Sequence, residues 1–497
     1  MKFFRVPNVR LLSRVGVAVA VSAVTLTSPA SAQDAKEAMA AFIDANATSY
    51  AAVAQEIWEL AEVGYMETES SEKLQGMLRS AGFEIASGVA GIPTAFVASY
   101  GGGGPVIGIM GEYDALPGIN QSRSAERDPI PGKIAGHACG HHLFGTGSVA
   151  AALAVKEWLD ETGAPGTIRV YGTPAEEGGA GKVYMVRAGL MDDVDVMLHW
   201  HAGSQNSASA SSSLANKSGK FRFYGQSAHA ASAPWRGRSA LDGVEAMHDM
   251  VNMMREHVTP ASRIHYVITS GGSAPNVIPD FAESYIYVRH PDPNEVRRMF
   301  DWVTRIAEGA AMGTETHMEL EVIHGIYNVL PNEALGRAMH ANLTAVGGVE
   351  YTAEERRFAE MIQNTFPEGV PPIERANEIE PFEVIEVGQG GSTDVGDVSW
   401  TVPTAGLSTA TWVPGTSAHS WQAVAAGGMD IGNKGMVNAV KTLAFTMHDL
   451  FTQPALIEAA QEEFLRRRGP NYIYEPLLGD RDPPLDYRAS VVGGSGN

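Results

Sequence analysis

Short apolar runs alternate with longer helical patterns from about residue 34 to residue 201. The runs "PVIGIMGEYDA", "GTIRVYGTPAEE" and "VDVMLHWHAG" predict strands, and "LFGTGSVAAALAVKEWLDETG" predicts a helix over 143–163. Helices between near-continuous apolar strands are typical of a mixed, mostly parallel sheet with helices on both faces. Functional sites in such α/β folds collect at the carboxyl ends of the strands, so the residues that follow these runs are the candidates for chemistry.

A different order follows the Ser/Ala-rich stretch "SQNSASASSSLANKSG", which is typical of a linker. Beyond it the pattern predicts strand "KFRFYGQ", a helix over 237–257, strands "RIHYVITSGG" and "AESYIYVRH", a helix over 293–311 and strand "HMELEVIHG". This β-α-β-β-α-β order is that of a ferredoxin-like α+β domain. The earlier pattern resumes after residue 331, so the small domain is predicted to be inserted into the larger one. The Pro- and Gly-rich end of the chain is expected to wrap the surface or fray.

The first 32 residues have the pattern of a secretory signal peptide. Four basic residues precede the apolar run "VGVAVAVSAVTL", and "SPASAQ" offers small residues for cleavage before Gln33. A membrane anchor is the alternative, but it needs roughly 20 apolar residues and this run breaks after about 12. We therefore expect a cleaved signal peptide, a periplasmic or secreted protein, and no stable membrane insertion.

Composition narrows the class of protein further. A chain of 497 residues with 44% hydrophobic residues is long enough for two or more domains. Its net charge of −21 argues against a nucleic-acid partner, since phosphate binding needs a basic surface. There is one cysteine, Cys139, so an internal disulfide is excluded. In an oxidising compartment that leaves a free thiol, an intermolecular bridge or a metal ligand.

Cys139 lies in "GHACGHH", where a single glycine separates it from His141. This spacing puts both side chains on one side of an extended segment, and a thiolate with an imidazole is a metal-binding pair. The alternative for an isolated cysteine is a buried, inert thiol. Other polar clusters at strand ends decide between the two interpretations.

Three such clusters follow predicted strands. In "YGTPAEEGG", Glu176 and Glu177 face opposite ways in extended chain, so one carboxylate can hold a metal while the other faces a water molecule; a solvated acidic turn is the alternative. In "LHWHAG", His199 and His201 project together, although core histidines are common. In "VPGTSAHSWQ", His419 follows a turn, where an ordinary loop histidine is the alternative. Together with Cys139 these residues predict a metal site.

Two further positions belong to the same hypothesis. In "GEYDALPG", Glu112 and Asp114 follow another strand, and Asp114 is a candidate acceptor for the second ring nitrogen of a ligand histidine. In "GQSAHAASAPW", His229 lies in the inserted domain, too far along the chain to be an obvious ligand, and a packing role at a helix start is its alternative.

These motifs resemble the aminoacylase/carboxypeptidase family of metal-dependent amidohydrolases. "GEYDALPG", "GHACGHHLFGTGS", "TPAEEGGAGK", "GQSAHAA", "NVIPD" and "GTSAHS" occur in that family's order, and "GSTDVGDVSW" and "APWRGRSALDGVE" are similar to its p-aminobenzoyl-glutamate hydrolase branch. The resemblance runs from about residue 40 to residue 465. It implies a zinc-peptidase-like catalytic domain with an inserted dimerisation domain. The expected organisation is a signal peptide (1–32), a first catalytic segment (33–214), a dimerisation domain (215–330), a second catalytic segment (331–455) and a C-terminal extension (456–497).

The resemblance also implies residue roles. Glu176 matches the general base, and His229 matches a histidine that dimerisation brings into the partner's active site. Two divalent metal ions, Mn or Zn, would be bound by Cys139, His141, Glu177, His201 and His419. Asn276 of "NVIPD" matches a substrate-binding position. Apart from the resemblance, Arg238, Arg289 and Asn276 are candidates to bind the substrate carboxylate; surface ion pairs are the alternative for the two arginines, and a turn-stabilising role is the alternative for Asn276.

The sequence departs from the family pattern at His142, where relatives carry Asp or Asn, and at His199, which leaves open whether His199 or His201 is the ligand. The expected function is hydrolysis of a linear amide in a small N-acyl amino acid, by a homodimer or together with a related subunit. The alternatives are a periplasmic dipeptidase or aminopeptidase on the same scaffold, and a metal- or peptide-binding protein without catalysis.

Overall fold

The computed structural model describes residues 29–367, 369–388 and 390–489. The basic and apolar run of the expected signal peptide lies outside these residues, and the first helix begins at Pro29. Over the described ranges no helix combines the length and the apolarity needed to span a membrane.

The described part of the chain contains helices α1 (Pro29–Leu60), α2 (Thr68–Ser80), α3 (His141–Thr162), α4 (Gly181–Arg187), α5 (Ala240–Met254), α6 (Pro293–Thr314), α7 (Glu333–Val346), α8 (Ala353–Gln363), α9 (Val395–Ser399), α10 (Trp421–Gly427), α11 (Asp430–Thr452) and α12 (Pro454–Arg468). Its strands are β1 (Glu84–Ser87), β2 (Phe96–Gly102), β3 (Val106–Gly111), β4 (Leu116–Pro117), β5 (Ala135–Gly136), β6 (Gly166–Gly172), β7 (Val196–Gly203), β8 (Ala210–Ser211), β9 (Ala215–Tyr224), β10 (Arg263–Ser270), β11 (Phe281–His290), β12 (His317–Ile326), β13 (Val384–Ile385) and β14 (Thr404–Ala410).

The central sheet has six strands in the order β1-β2-β6-β3-β7-β14. Strands β6, β3, β7 and β14 are parallel, and β1 and β2 add an antiparallel edge. Helices α1, α3 and α11 share one apolar core with this sheet, while α4 and α9 lie in a second core that includes Met110 and Met197. Because both faces are covered, β3 is almost wholly buried. The mostly parallel α/β fold predicted from the apolar runs is confirmed.

Helix α3 forms where the sequence predicts a helix. It ends at Thr162 because Gly163 adopts a left-handed conformation (φ 63°), and the Gly163 N–H donates to the carbonyl of Leu159. The helix begins two residues earlier than predicted, at His141, so the two histidines of the "CGHH" motif lie in its first turn.

The second sheet is antiparallel, with the order β10-β11-β9-β12, and helices α5 and α6 pack on one of its faces. This is the strand order of a ferredoxin-like fold. Strand β9 begins at Ala215, so the end of the Ser/Ala-rich stretch is strand rather than linker, because it pairs with both β11 and β12. The expected boundary at residue 455 falls inside α12, since Pro454 occupies the first turn of that helix.

Candidate metal centre and active site

Four parallel strands of the central sheet end at the same edge, and the polar residues predicted to carry chemistry lie near or beyond those strand ends. The carboxylates Glu112 and Asp114 follow β3, and Glu176 and Glu177 follow β6. His201 lies near the end of β7, in the strand itself. The β3–α3 and β14–α10 connections bring in Cys139 and His419, and the His419 N–H donates to the carbonyl of Ala138 at 2.9 Å.

The thiol of Cys139 lies at the centre of this cluster. Its Sγ atom is 3.5 Å from Nε2 of His201 and 3.5 Å from Nε2 of His419. Cys139, His141 and His201 can offer ligand atoms within 4.8 Å of one another, and so can Cys139, Glu177 and His419. Ligands about 2.0–2.3 Å from a tetrahedral cation lie roughly 3.3–3.8 Å apart, so both sets have the spacing of a metal site. Cys139 belongs to both sets, which places two sites side by side.

Buried atoms without partners provide a test of whether cations fit this cluster. Nε2 of His141 and Oε1 of Glu177 are buried and make no hydrogen bond with the described residues, although Nε2 of His141 lies 3.0 Å from Oε2 of Glu112. Glu177 Oε1 lies 3.3 Å from Nε2 of His419, close enough for both atoms to bind the same cation. Buried polar atoms in proteins are nearly always partnered, and a thiolate, imidazoles and a carboxylate are preferred ligands of divalent transition metals. The residues therefore fit a pair of cations.

The structure also distinguishes His201 from His199. Both side chains project from the same face of β7, but only His201 lies beside the thiol. His199 packs over Gly406 of β14 so closely that a Cβ atom added there would collide with its Nε2 atom. It lines a cavity of about 240 Å³ together with Ser207, Asn332 and Leu407. Burial lowers the pKa of His199 to about 4 and also lowers the pKa of His201, so both rings are neutral at pH 7.

His142, the other departure from the family pattern, belongs to neither ligand set. Its Nε2 atom lies 3.0 Å from the carbonyl of Gly427, and its ring packs 4.9 Å from that of His137. Burial lowers the pKa of His142 to about 3. A neutral ring that donates to the end of α10 has a packing role, and among the described residues His142 belongs to none of the groups that could hold a metal ion.

Asp114 connects the two ligand sets. One carboxylate oxygen lies 3.0 Å from Nδ1 of His141, and the other accepts the backbone N–H of Glu177 at 2.9 Å. The first contact fixes the ring so that Nε2 points into the cluster, as a metal ligand requires. Asp114 therefore lies where an acceptor for a ligand histidine is expected.

A buried network of ionisable side chains, which sequence reasoning missed, lies next to the predicted ligand His141. The Lys182 ammonium is 2.6 Å from Oε1 of Glu112 and 2.7 Å from Oδ1 of Asp394, and all three side chains are buried. Oε2 of Glu112 is in turn 3.0 Å from Nε2 of His141. Burial opposes ionisation of Glu112, but Lys182 and His141 hold the pKa of that carboxyl well below its usual range. Lys182 follows the glutamate pair in "AEEGGAGK" and Asp394 lies in "GSTDVGDVSW", so both lie inside family motifs without having been assigned a role.

The turn before the glutamate pair is strained and tightly held. Ala175 has φ 59°, a conformation that is uncommon for residues with a side chain, and its N–H donates to Oε1 of buried Glu67 at 2.8 Å. The two carboxylates then diverge: Glu177 faces Cys139 and His419, while Glu176 faces Glu112 and His141. Desolvation, together with the charges of Glu112 and Glu177, raises the pKa of Glu176 well above its ordinary value. A carboxyl with a raised pKa beside a metal pocket is suited to proton transfer.

The candidate residues of the inserted domain lie apart from this cluster. His229 is exposed at its loop, and its Nδ1 atom accepts the N–H groups of Ala231 and Ser232 at 3.2 Å. Asn276 is exposed beside it, on the loop that pairs with residue 229. Among the described residues, no hydrogen bond or ion pair joins either side chain to a predicted metal ligand.

The two arginines differ from each other. Arg238 pairs with exposed Glu315 at 2.5 Å, which is the surface ion pair weighed as its alternative. Arg289 lies over the ring of Tyr287 and donates weakly to Ser392 Oγ at 3.4 Å. Its Nε atom is buried and has no hydrogen-bond partner in the described chain, so it retains a free donor.

Comparison with known families shows to which family this chain belongs. Residues 108–405 match the model of Peptidase family M20/M25/M40, over a span that holds every predicted ligand except His419. The chain belongs to this family. The resemblance inferred from the motifs is thereby confirmed, and so is the interpretation of the chain as a metal-dependent amidohydrolase.

Two curated relatives are similar to this M20-family chain over most of its length. It is 40% identical over 447 residues to the B subunit of p-aminobenzoyl-glutamate hydrolase from Escherichia coli (strain K12), covering 85% of this chain and 93% of that protein. It is 30% identical over 438 residues to Xaa-Arg dipeptidase of Mus musculus, covering 85% and 90%.

Solved structures agree in fold. An aminobenzoyl-glutamate utilization protein from Klebsiella pneumoniae has a TM-score of 0.57 at 19% identity, covering 82% of this chain and 97% of that one. A dinuclear metal-binding peptidase of the M20 family from Bacillus subtilis has a TM-score of 0.54 at 17% identity, covering 82% and 99%. Both similarities show the fold. They carry no information about the donor atoms around Cys139, which are described from this chain alone.

Proposed function

We propose that this protein hydrolyses the amide bond of a small N-acyl amino acid and releases the free amino acid. The observation that carries the proposal is Cys139, shared by two ligand sets with Glu176 beside them. The Escherichia coli relative is named for p-aminobenzoyl-glutamate, so an aminobenzoyl or similar acyl group on an acidic amino acid is the first substrate class to test.

Five side chains would hold two divalent cations, Mn or Zn: Cys139 between both, His141 and His201 on one side, and Glu177 and His419 on the other. Cations bound there would activate a water molecule and polarise the scissile carbonyl. The soft thiolate favours Zn, whereas the resemblance to the p-aminobenzoyl-glutamate branch suggests Mn. Asp114 keeps His141 and Glu177 in position through its two oxygens.

Glu176 acts as the general base. Its carboxylate takes the proton from the attacking water and passes it to the amine of the departing amino acid. The raised pKa of Glu176 suits this return of the proton, because a protonated carboxyl is the donor that the leaving amine needs.

For the substrate carboxylate, we favour Arg289 among the three candidates. Its unpartnered buried Nε atom supports this role, whereas Arg238 already pairs with Glu315. Asn276 is exposed next to His229 and would reach a substrate only across an interface between subunits.

We further propose that the inserted domain, residues 215–330, forms a homodimer or pairs with a related subunit. Strand β10 is the edge of its sheet, and exposed apolar side chains support a partner there: Val267 is 57% exposed and Ile268 46%. Trp235 and Val277, on the loops beside His229, are 71% and 49% exposed. In the dimer, His229 would enter the partner's site and stabilise the oxyanion that forms on the scissile carbonyl.

We also propose that residues 1–32 are a signal peptide and that the mature protein is periplasmic or secreted. The basic residues, the apolar run and the small residues before Gln33 support this proposal. Amino-terminal sequencing of protein from the periplasmic fraction should then find Gln33 first, and an intact amino terminus at residue 1 would refute it.

The function is tested with purified protein and a panel of p-aminobenzoyl-glutamate, other N-acyl amino acids and dipeptides, which includes Xaa-Arg substrates because of the mouse relative. Reactions contain Mn²⁺, Zn²⁺ or chelator, and free amino acid is measured. Release from N-acyl amino acids that requires metal and is lost in Glu176→Gln supports the proposal. A preference for dipeptides supports dipeptidase activity, and metal-loaded protein that releases nothing from the panel contradicts both.

A further inference from the structure

After α12 the chain runs back across the molecule as residues 469–489, which we call the C-terminal strap. Its beginning lies against strand β12 at the edge of the second sheet. The Tyr327 hydroxyl, just after β12, donates to the carbonyl of Glu475 at 2.7 Å, whereas the Tyr474 hydroxyl donates at 2.8 Å to Asp397 of α9 in the larger domain. Gly325 packs so closely that an added Cβ atom would come 2.6 Å from the Leu478 nitrogen. The beginning of the strap therefore contacts both the inserted domain and α9.

The middle of the strap crosses from the second sheet to the central one. The Arg481 guanidinium donates to the carbonyls of Val322 and Ile323, where the register of β12 shifts. In the other direction, Arg187 of α4 donates to the carbonyl of Arg481 at 2.7 Å. One residue of the strap thus contacts both domains.

The strap ends at the turn that carries the glutamate pair. The Tyr487 hydroxyl donates to the carbonyl of Glu177 at 3.2 Å, and Nη2 of Arg488 donates to the same oxygen at 2.6 Å. The Tyr487 ring meets Tyr65 edge-on at 5.6 Å, and a Cβ atom added to Gly64 would collide with the Tyr487 oxygen. Two donors from one short segment therefore converge on one backbone oxygen.

That oxygen belongs to a proposed metal ligand in a turn with two positive φ angles, 59° at Ala175 and 96° at Gly178. Glycine adopts such a conformation freely, but alanine rarely does, so the turn is strained at Ala175. Asp114 holds the N–H of Glu177, and the strap holds its carbonyl. Together they fix the peptide units on both sides of the Glu177 Cα atom and hence the direction of its side chain. The Arg488 contact is charge-assisted and is the stronger of the two from the strap.

We propose that the C-terminal strap completes the active site, with Tyr487 and Arg488 as positioning residues for Glu177 and, through the same turn, for Glu176. The proposal rests on the function proposed above. It assigns a role to a segment that follows the M20 match and shows no helix or strand period.

The test compares Arg488→Ala, Arg488→Lys and Tyr487→Phe with Arg466→Ala, a control in which an exposed arginine of α12 is removed. Metal affinity is measured by titrating chelated protein with Zn²⁺ or Mn²⁺ in a metal buffer, and kcat and KM are measured separately.

Loss of a group that orients a ligand typically weakens metal binding or activity by about 10–100-fold. We expect that loss in metal affinity and kcat for Arg488→Ala, with KM changed much less. Lysine should restore most of both, and Tyr487→Phe should have a smaller effect.

A chain ending at Asp486 keeps the contacts of Tyr474 and Arg481 and removes both donors. It should match the defect of Arg488→Ala while its apo form unfolds at nearly the wild-type temperature. Wild-type metal affinity and kcat in Arg488→Ala would overturn the proposal, as would a lowered unfolding temperature with unchanged metal affinity. The metal titration needs no substrate, so failure of the proposed hydrolysis would leave it a valid test of the strap.

Discussion

Replacing Lys182 by Met should destabilise the metal-free protein more than any surface charge change. The Lys182 ammonium is buried between Glu112 and Asp394, with N–O distances of 2.6 and 2.7 Å. Methionine keeps most of the length and volume of the side chain but removes its charge. Two buried carboxylates are then left without their counter-ion, in a cluster that also contains Glu176.

The size of the effect follows from this burial. Removing one partner of a buried ion pair costs about 3–5 kcal/mol, because the remaining charge is neither solvated nor paired. Because Lys182 is the counter-ion of two carboxylates, we expect the loss in the free energy of unfolding to be near the upper end of that range. Since domains are stable by only about 5–15 kcal/mol, such a loss is a large fraction of the free energy of unfolding.

The assay is urea unfolding of chelated protein, so that added cations cannot replace the missing charge. Lys73→Met is the matched control: Lys73 pairs with Glu56 at 2.5 Å, but on the surface, where removal should cost under about 1 kcal/mol. The double variant Lys182→Met/Asp394→Asn should recover some of the loss, because one of the stranded charges is gone. A Lys182→Met protein that is no less stable than the Lys73→Met control would refute the argument that this network is ionised and unsolvated.

Three other outcomes follow from the site and its surroundings. Glu176→Gln should lower kcat by about 10²–10⁴-fold while metal content by elemental analysis stays unchanged; retained turnover would exclude Glu176 as the base. His229→Ala should lower kcat by about 10²–10³-fold without loss of metal, and mixing it with Glu176→Gln should restore partial activity if sites are shared between subunits. Burial raises the pKa of Asp397 to about 7, above the value of about 4 in unfolded chain. The folded state therefore binds this proton more tightly, and the free energy of unfolding should fall as pH rises from about 4 to 7, by up to about 4 kcal/mol. Asp397→Asn should flatten that dependence in urea unfolding measured across this pH range and above it, and an unchanged slope would contradict it.

The elements of the fold that could be predicted are those with a recognisable pattern within a short stretch of the sequence. The β3, β6 and β7 runs are apolar because both faces of the sheet are covered, and the glycine that ends α3 is visible in sequence as Gly163. The strand-end position of the predicted metal ligands follows from topology, because parallel strands bring their carboxyl ends to one edge. For the same reason Cys139 and His419, 280 residues apart, could be grouped before their contact was known.

The buried network of ionisable side chains has no such pattern. Lys182 and Asp394 are 212 residues apart, and each follows glycines or small polar residues that are typical of exposed loops. A charged residue is almost never fully buried unless it is paired, so neither can be assigned to the core without its partner. The pairing depends on the packing of α4 against α9, which the sequence does not specify by period or spacing.

The Pro- and Gly-rich composition of the C-terminal strap predicts a segment that wraps the surface or frays, and its contacts explain why the sequence does not predict more. Arg481 and Arg488 donate to the backbone carbonyls of Val322, Ile323 and Glu177. Every residue has a carbonyl, so the acceptors leave no signature in the sequence. The donors are single arginines that could equally be solvated. A segment held by hydrogen bonds to backbone carbonyls can be recognised only in the structure. Its role follows from the two donors, Tyr487 and Arg488, that meet at the carbonyl oxygen of Glu177.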